Sequence, residues 1–357
     1  MFGISHLSFP FLALTFALAA AAVWVAGIGL SSTTDALASR FNLGEALGGL
    51  LLLAITTNLP EIAITVSASL HHDLGIAIGN ILGGIAIQTI VLCLLDFRVP
   101  GRHPLTYQAA SLVLVLEGIL VVAVLVVAVM GTQLPRTVTF FHLAPQDLLI
   151  FAFWVSGVWL LNKARTDLPW QEKGDAPGGE QTAATKRCKE EAQKKTQKAG
   201  IGKTVALFLT ASAVTLIAGF VLEETGNGIA GHIHLTGVLF GATVLAAATS
   251  LPEISTGLES IKMGDYQLAV SDIFGGNAFL PVLFLPATLI SGSSVLPQAK
   301  NTDIYLAGLG ILLTAVYLYG LIFRPRRLIL RMGADSIAVL LLYALGIAGL
   351  FTIARAH

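Results

Sequence analysis

Glu61 and Glu253 each follow a proline in the middle of an apolar run. The first closes the stretch Ala54-Ile55-Thr56-Thr57-Asn58-Leu59-Pro60-Glu61, and the second closes Ala246-Ala247-Ala248-Thr249-Ser250-Leu251-Pro252-Glu253, 192 positions later. A charge at the centre of a membrane helix costs roughly 2.5 to 3.5 kcal/mol on insertion scales, so intramembrane ionisable residues default to function. Proline removes an amide hydrogen and releases the carbonyl four residues back, that of Thr56 in one copy and of Ala248 in the other. On a 3.6-residue period Ala54, Thr57, Asn58 and Glu61 share one helix face, as do Ala246, Thr249, Ser250 and Glu253. Each stripe offers backbone oxygen, hydroxyl or amide, and carboxylate. Such ligands suit hard cations such as Ca2+, with Na+ handled by similar groups; the cysteines and paired histidines that soft metals prefer are missing from the stripe. Hydrogen bonds that brace neighbouring helices would account for one stripe, but two matched carboxylates point to ion chemistry.

The elements that must position these residues are membrane helices. Of 357 residues, 55% are hydrophobic and 12% charged, about half the charge of a soluble domain. Apolar runs near the ~20 residues needed to cross the hydrocarbon fall at about 8–30, 44–70, 74–95, 107–131, 146–163, 201–222, 236–261, 266–290, 302–323 and 335–354. The expected fold is therefore an all-α polytopic membrane protein with ten transmembrane helices. No Lys or Arg precedes the first run, which reads as a retained helix and not a cleaved signal. With ten alternating spans, 18 of the 21 basic residues gather on one side, leaving only Arg136, Lys300 and Arg355 on the other. By the positive-inside rule both termini face away from the cytoplasm. The membrane is expected to be a plasma (inner) membrane. Basic residues used for topology leave no nucleic-acid surface. Cys93 and Cys188 form no disulfide framework.

The 192-residue offset also matches Ala26-Gly27 with Ala218-Gly219, and it continues ungapped to about Leu92 and Phe284. An offset spanning five helices turns the second copy over in the membrane, which is the inverted-repeat plan of many secondary transporters. The expected organisation is a first repeat at 1–164, a charged cytoplasmic linker at 165–200 and a second, inverted repeat at 201–357. The linker, rich in Lys, Glu and Gln, reads as a solvated tether and not as a regulatory ion or headgroup site.

After each glutamate comes a glycine-rich helix: Gly79-Asn80-Ile81-Leu82-Gly83-Gly84 running on to Gln88, and Ser271-Asp272-Ile273-Phe274-Gly275-Gly276-Asn277 running on to Leu280. These four motifs in register resemble the two alpha-repeats of the calcium/cation antiporter superfamily, which includes the sodium/calcium and proton/calcium exchangers. The resemblance covers the ten-span plan and is sharp over about forty residues in each half. It implies that Glu61 and Glu253 face each other at the midplane and bind the ion, with Ala54, Thr57, Asn58, Ala246, Thr249, Ser250 and Gln88 around them. Three departures stand out. Asn58 replaces the usual serine of sodium/calcium exchangers, Gly84 and Gly276 occupy serine positions, and Leu280 replaces an Asn or Asp.

The expected function is exchange of Ca2+, or another divalent cation, for Na+ or H+ by alternating access. Two carboxylates facing each other in a low dielectric repel, and one Ca2+, two monovalent cations or two protons restore neutrality. That count of two charges makes electroneutral exchange the expectation. The alternatives are a membrane-embedded metal-dependent enzyme using the same pair, or a cation channel. No His-Glu-x-x-His or Asp-rich phosphate motif supports the enzyme. Lipid and small inorganic cations are the expected partners, without a cofactor. Glu117, mid-span and with Leu309 at its offset, is a candidate proton relay. Asn80 and Asp272 match each other and read as helix braces. His71, His72, His232 and His234 lack a zinc-ligand spacing.

Overall fold

The computed structural model describes residues 8–40, 52–109, 111–135, 143–166, 200–233 and 237–355. The helices are α1 (Phe9–Arg40), α2 (Leu52–Thr57), α3 (Leu59–Leu70), α4 (Leu74–Arg98), α5 (Leu105–Gln108), α6 (Leu112–Thr132) and α7 (Pro145–Thr166) in the first half. The second half has α8 (Ile201–His232), α9 (Gly237–Phe240), α10 (Ala246–Thr249), α11 (Leu251–Met263), α12 (Tyr266–Phe279), α13 (Phe284–Ser291), α14 (Asn301–Phe323) and α15 (Ala334–Arg355). There is no strand among the described residues, though an isolated bridge pairs Ile329 with Met332.

Eight segments among the described residues are apolar and long enough to cross a membrane, one of which, Tyr266–Ser291, passes through a 3-10 turn at Leu280–Leu283. The runs expected at 44–70 and 236–261 behave differently. The first breaks at Asn58, between α2 and α3, and its residues 44–51 lie outside the described ones. The second passes through a π-helical turn, Gly241–Leu245, and breaks at Ser250 between α10 and α11. In both cases proline occupies the second position of the new helix, where its missing amide hydrogen is tolerated. The linker expected at 165–200 falls almost wholly outside the described residues, as do His234 and Cys188.

Element boundaries follow the sequence offset. Phe9–Arg40 and Ile201–His232 are equal in length and 192 positions apart, and the same step separates the first residues of α3 and α11 and of α4 and α12. Helix ends are set locally. Ser111 accepts the amide of Val113 at the start of α6, Asp265 accepts that of Leu268 at the start of α12, and Gly264 closes α11 with a φ of 74°.

Helix α4 is the most enclosed span, with 83% of its apolar window buried, against 17% for α7 and α15 at the periphery. Against α4 pack α12 and α14, and α6 packs on those two in turn, in the main apolar core, which includes Ile81, Ile85, Val121, Phe274 and Leu313. The long helices α1 and α8 lie against each other, and each also packs on a broken helix across the halves: α1 on α11, α8 on α3. Glycine permits both approaches. A Cβ on Gly27 would sit 3.0 Å from Pro252 Cα, and one on Gly219 would sit 2.7 Å from Ala63 Cβ and 3.0 Å from the Pro60 carbonyl oxygen. These contacts, which are repeat counterparts, press on the prolines that precede Glu61 and Glu253.

Candidate cation site

The break at Asn58 and the break at Ser250 bring the first turns of α3 and α11 to the same buried region. Glu61 and Glu253 are each fully buried, as are Asn58, Gln88, Thr249 and Ser250, and Thr57 is 1% exposed. The two glutamates lie within direct electrostatic reach of each other. Their hydroxyl neighbours are exchanged between halves, with Thr249 facing Glu61 and Thr57 facing Glu253.

Those hydroxyl protons are turned away. Thr57 Oγ1 donates to the Leu53 carbonyl at 3.1 Å, and Thr249 Oγ1 donates to the Ala246 carbonyl at 3.2 Å. Each hydroxyl therefore presents lone pairs to a carboxylate. Neither oxygen of Glu61 has a hydrogen-bond donor among the described residues, and Oε2 of Glu253 also lacks one. Buried acceptors are almost always satisfied in folded proteins, and lone pairs converging on carboxylates suit a cation between them. The donor set of carboxylate and hydroxyl oxygens matches a hard ion.

Gln88 joins the site from α4. Its Nε2 lies 3.3 Å from Glu253 Oε1 and 3.4 Å from Asn58 Oδ1, donating to both, while its Oε1 has no partner among the described residues. Ala54 and Ala246 contribute in a different manner from a freely exposed carbonyl. The Ala54 oxygen accepts from Asn58 Nδ2 at 2.6 Å, and the Ala246 oxygen accepts from Ser250 Oγ at 2.8 Å. Both carbonyls are thus already engaged by their own helices.

The departures at Asn58 and Gly276 fit one another. A Cβ on Gly276 would lie 2.9 Å from Asn58 Nδ2 and 3.4 Å from Gln88 Oε1. The larger Asn58 amide occupies the room that a side chain at 276 would need. Leu280 is fully buried and would stand 3.4 Å from a Cβ on Gly84, so these two departures are neighbours as well.

Glu117 is brought beside α12, where its two oxygens lie 2.8 and 2.6 Å from Ser271 Oγ, which donates to the carboxylate. Asp272, the next residue, accepts a very short hydrogen bond from Thr256 Oγ1 and acts electrostatically on Glu253. Reading Asp272 as a brace finds its hydrogen bond but misses its second neighbour; the signal available was a carboxylate standing where the first repeat has Asn80. The described histidines lie elsewhere: His71 Nδ1 is 3.7 Å from Glu223 Oε2, and His232 Nδ1 contacts the Gly228 carbonyl. No cluster of three His, Cys, Asp or Glu suited to a metal occurs among the described residues.

Broken membrane helices that meet at buried carboxylates are the architecture of a secondary transporter. The sodium/calcium exchanger protein family matches this chain over residues 11–160 and 203–352, and the chain belongs to that family. It is 27% identical over 273 residues to the inner membrane protein YrbG of Escherichia coli (strain K12), covering 75% of this chain and 76% of that one. A shorter match, 33% identical over 111 residues, joins 30% of this chain to 34% of the putative antiporter CaxA of Alkalimonas amylolytica. Among solved structures, the H+/Ca2+ exchanger CAX superposes with a TM-score of 0.64 at 13% identity, covering 97% of this chain and 87% of that one. The sodium-calcium exchanger NCX_Mj superposes with a TM-score of 0.59 at 18% identity, covering 94% and 99%. At these identities the likeness is one of fold. The chain is thus an integral membrane transporter of the cation/Ca2+ antiport class, and the reading as a membrane-embedded enzyme falls away.

Proposed function

We propose that this protein exchanges Ca2+ for Na+ or H+ through a midplane site built on Glu61 and Glu253. The observation that carries the reading is the reciprocal facing of Thr57 with Glu253 and Thr249 with Glu61, with three of the four carboxylate oxygens lacking a donor among the described residues. A divalent ion between the carboxylates replaces the missing donors, and protons or monovalent ions do so in its absence. A carboxylate pair that crosses the membrane only when neutralised couples the two fluxes, which distinguishes exchange from a channel. Gln88 orients Glu253, and Asn58 and Ser250 hold the ends of the broken helices. Glu117 serves as a proton relay through Ser271, should the coupling ion be H+.

Two inverted repeats at 1–164 and 201–357, joined by the 165–200 linker, supply this site. The broken segments at 52–70 and 237–263 act as the second and seventh of ten spans, and the basic residues place both termini outside the cytoplasm. The common 192-residue spacing of α1 with α8, α3 with α11 and α4 with α12 supports that assignment.

The test is 45Ca2+ uptake by purified protein in proteoliposomes under an imposed Na+ gradient or pH gradient. Uptake should require one of them. Ca2+ flux that continues with no counter-ion on the opposite side would point to a channel and end the proposal.

The pairing of Asn58 with Gly276 gives a second expectation. Gly276→Ser should weaken Ca2+ binding about tenfold, equivalent to ~1.4 kcal/mol, because the new side chain displaces the Asn58 amide. Adding Asn58→Ser should restore most of the affinity. A double variant no better than Gly276→Ser alone would show that the two positions are not coupled.

A further inference from the structure

Residues 97–116 and 304–334 hold Arg98, Arg102, Arg324, Arg326, Arg327 and Arg331, with no Lys, Asp or Glu among them. Membrane topology is served equally by Lys and Arg, and the basic residues of the 165–200 linker are mostly lysine. Guanidinium alone at the far ends of α4 and α14 therefore calls for a reason besides topology. Bidentate recognition of phosphate is the use for which arginine is not replaceable by lysine.

The connection from α14 to α15 is tied down at its foot. Gly333 donates its amide to Asp96 Oδ2 at 2.6 Å, Ser336 Oγ donates to the same oxygen at 2.6 Å, and Leu105 donates its amide to Oδ1 at 2.7 Å. One buried carboxylate of α4 thus fixes this connection and the start of α5 together. Further out, the Arg326 guanidinium lies 6.0 Å over the Tyr107 ring and that of Arg331 lies 5.6 Å over the Phe97 ring. The tip is a two-residue turn closed by Ile329 and Met332, whose amides donate to each other's carbonyls at 2.8 and 3.0 Å. Both central residues, Leu330 and Arg331, are left-handed, with φ of 52° and 68°. Asn-Gly is the pair such a turn favours, and a bulky side chain makes the conformation costly. Leu330 stands there all the same, and it is 79% exposed. A leucine that neither suits its turn nor joins the core points to a role outside the chain.

We infer that Leu330 and Arg331, together with Phe97, form a headgroup site for an anionic phospholipid. Phe97 is exposed at the end of the α4 span, and Tyr319 and Phe323 are exposed at the end of the α14 span, so the turn stands where hydrocarbon gives way to headgroups. The face of the Arg331 guanidinium rests on Phe97, and its N–H edge is the fork that takes two phosphate oxygens. Leu330, its neighbour in the turn, enters the apolar zone beneath the headgroups. A free phosphate ion has no use for an exposed leucine, which commits the site to lipid. Arg326 on Tyr107 and Asp96 at the foot hold the turn in place. The leaflet it faces rests on the sidedness proposed above, whereas the site itself stands apart from the exchange reading.

The experiment titrates full-length protein in neutral detergent with phosphatidylglycerol or phosphatidylcholine and counts bound lipid by native mass spectrometry. The wild type should hold one phosphatidylglycerol at least about fivefold more tightly than phosphatidylcholine, the scale of one arginine beside an anionic surface. Arg331→Gln should abolish that preference, and Arg331→Lys should restore little of it because an ammonium lacks the fork. Lys203→Gln, the same change of charge on α8, should leave the preference intact. Leu330→Asn should weaken phosphatidylglycerol binding yet raise the unfolding temperature in lipid-free detergent, since asparagine suits the turn. A leucine with a purely structural role would not move the two readouts in opposite directions. A wild type without headgroup preference, equal losses in Arg331→Gln and Lys203→Gln, or full retention in Arg331→Lys overturns the inference. Displacement of phosphatidylglycerol by excess inorganic phosphate would also overturn it, by showing a site for the ion and not for lipid. If the Arg331 variants do not fold, Leu330→Asn decides, and unchanged phosphatidylglycerol affinity in that variant refutes the site.

Discussion

Glu61→Gln and Glu253→Gln are each expected to reduce gradient-driven Ca2+ uptake by about a hundredfold or more. An amide has the volume of the carboxylate but removes one of two full charges from a divalent ligand set. A loss of ~3 kcal/mol in cation binding, of the order expected for a buried charge partner, corresponds to about a hundredfold. The fold should be preserved for a structural reason. Oxygens of Thr249 and Thr57 face these side chains with their protons donated elsewhere, so an amide NH2 finds acceptors where the carboxylate found none. Gln88 Nε2 still has an oxygen to donate to at position 253. The ion-free variants should therefore unfold no earlier than the wild type on heating, and the thermal shift produced by Ca2+ should vanish. Either variant retaining wild-type uptake would show that the paired carboxylates are not the site. A variant that lost uptake together with its folded state would leave flux uninformative, and the missing Ca2+-dependent thermal shift must then be read on whatever folded fraction remains.

The candidate site was legible where it depended on one helix at a time. Charges and prolines inside apolar runs picked out Glu61 and Glu253, and the glycine-rich motifs picked out α4 and α12, whose first residues keep the 192-residue spacing. Contacts between the halves were not legible. Helical periodicity placed Thr57 with Glu61, whereas the structure turns the Thr57 oxygen toward Glu253. Departures from the family pattern at Asn58 and Gly276 looked independent in sequence and are neighbours in space. Asp272 looked like a helix brace because the residue that gives it a further meaning, Glu253, sits on another helix. The breaks at Asn58 and Ser250 also explain why two of the ten apolar runs do not appear as single spanning helices among the described residues: hydropathy averages over a proline, but the hydrogen-bond ladder does not.

The second large effect is expected at Gly219, far from any ion ligand in sequence. Helix α8 presses this glycine against α3, and a Cβ there would stand 2.7 Å from the Ala63 Cβ and 3.0 Å from the Pro60 carbonyl oxygen. Neither contact can be relieved by rotating a flexible side chain, because one partner is backbone and the other is a methyl group fixed to it. Overpacking of this kind costs about 1 to 3 kcal/mol, and here the displaced residue, Pro60, immediately precedes Glu61. Gly219→Ala should therefore lower thermal stability and weaken Ca2+ binding, with Gly219→Val more severe on both counts. Ala63→Gly removes the nearer of the two obstructing atoms. Combined with Gly219→Ala, it should recover more than half of the lost Ca2+ affinity, giving a coupling between the two positions on the scale of ~1 kcal/mol that contacting residues show. The measurement is a double-mutant cycle on Ca2+ affinity and on unfolding temperature. Additive losses, with no recovery in the double variant, would mean that α8 does not bear on α3 at this point and that the position of Glu61 is set by its own helix alone.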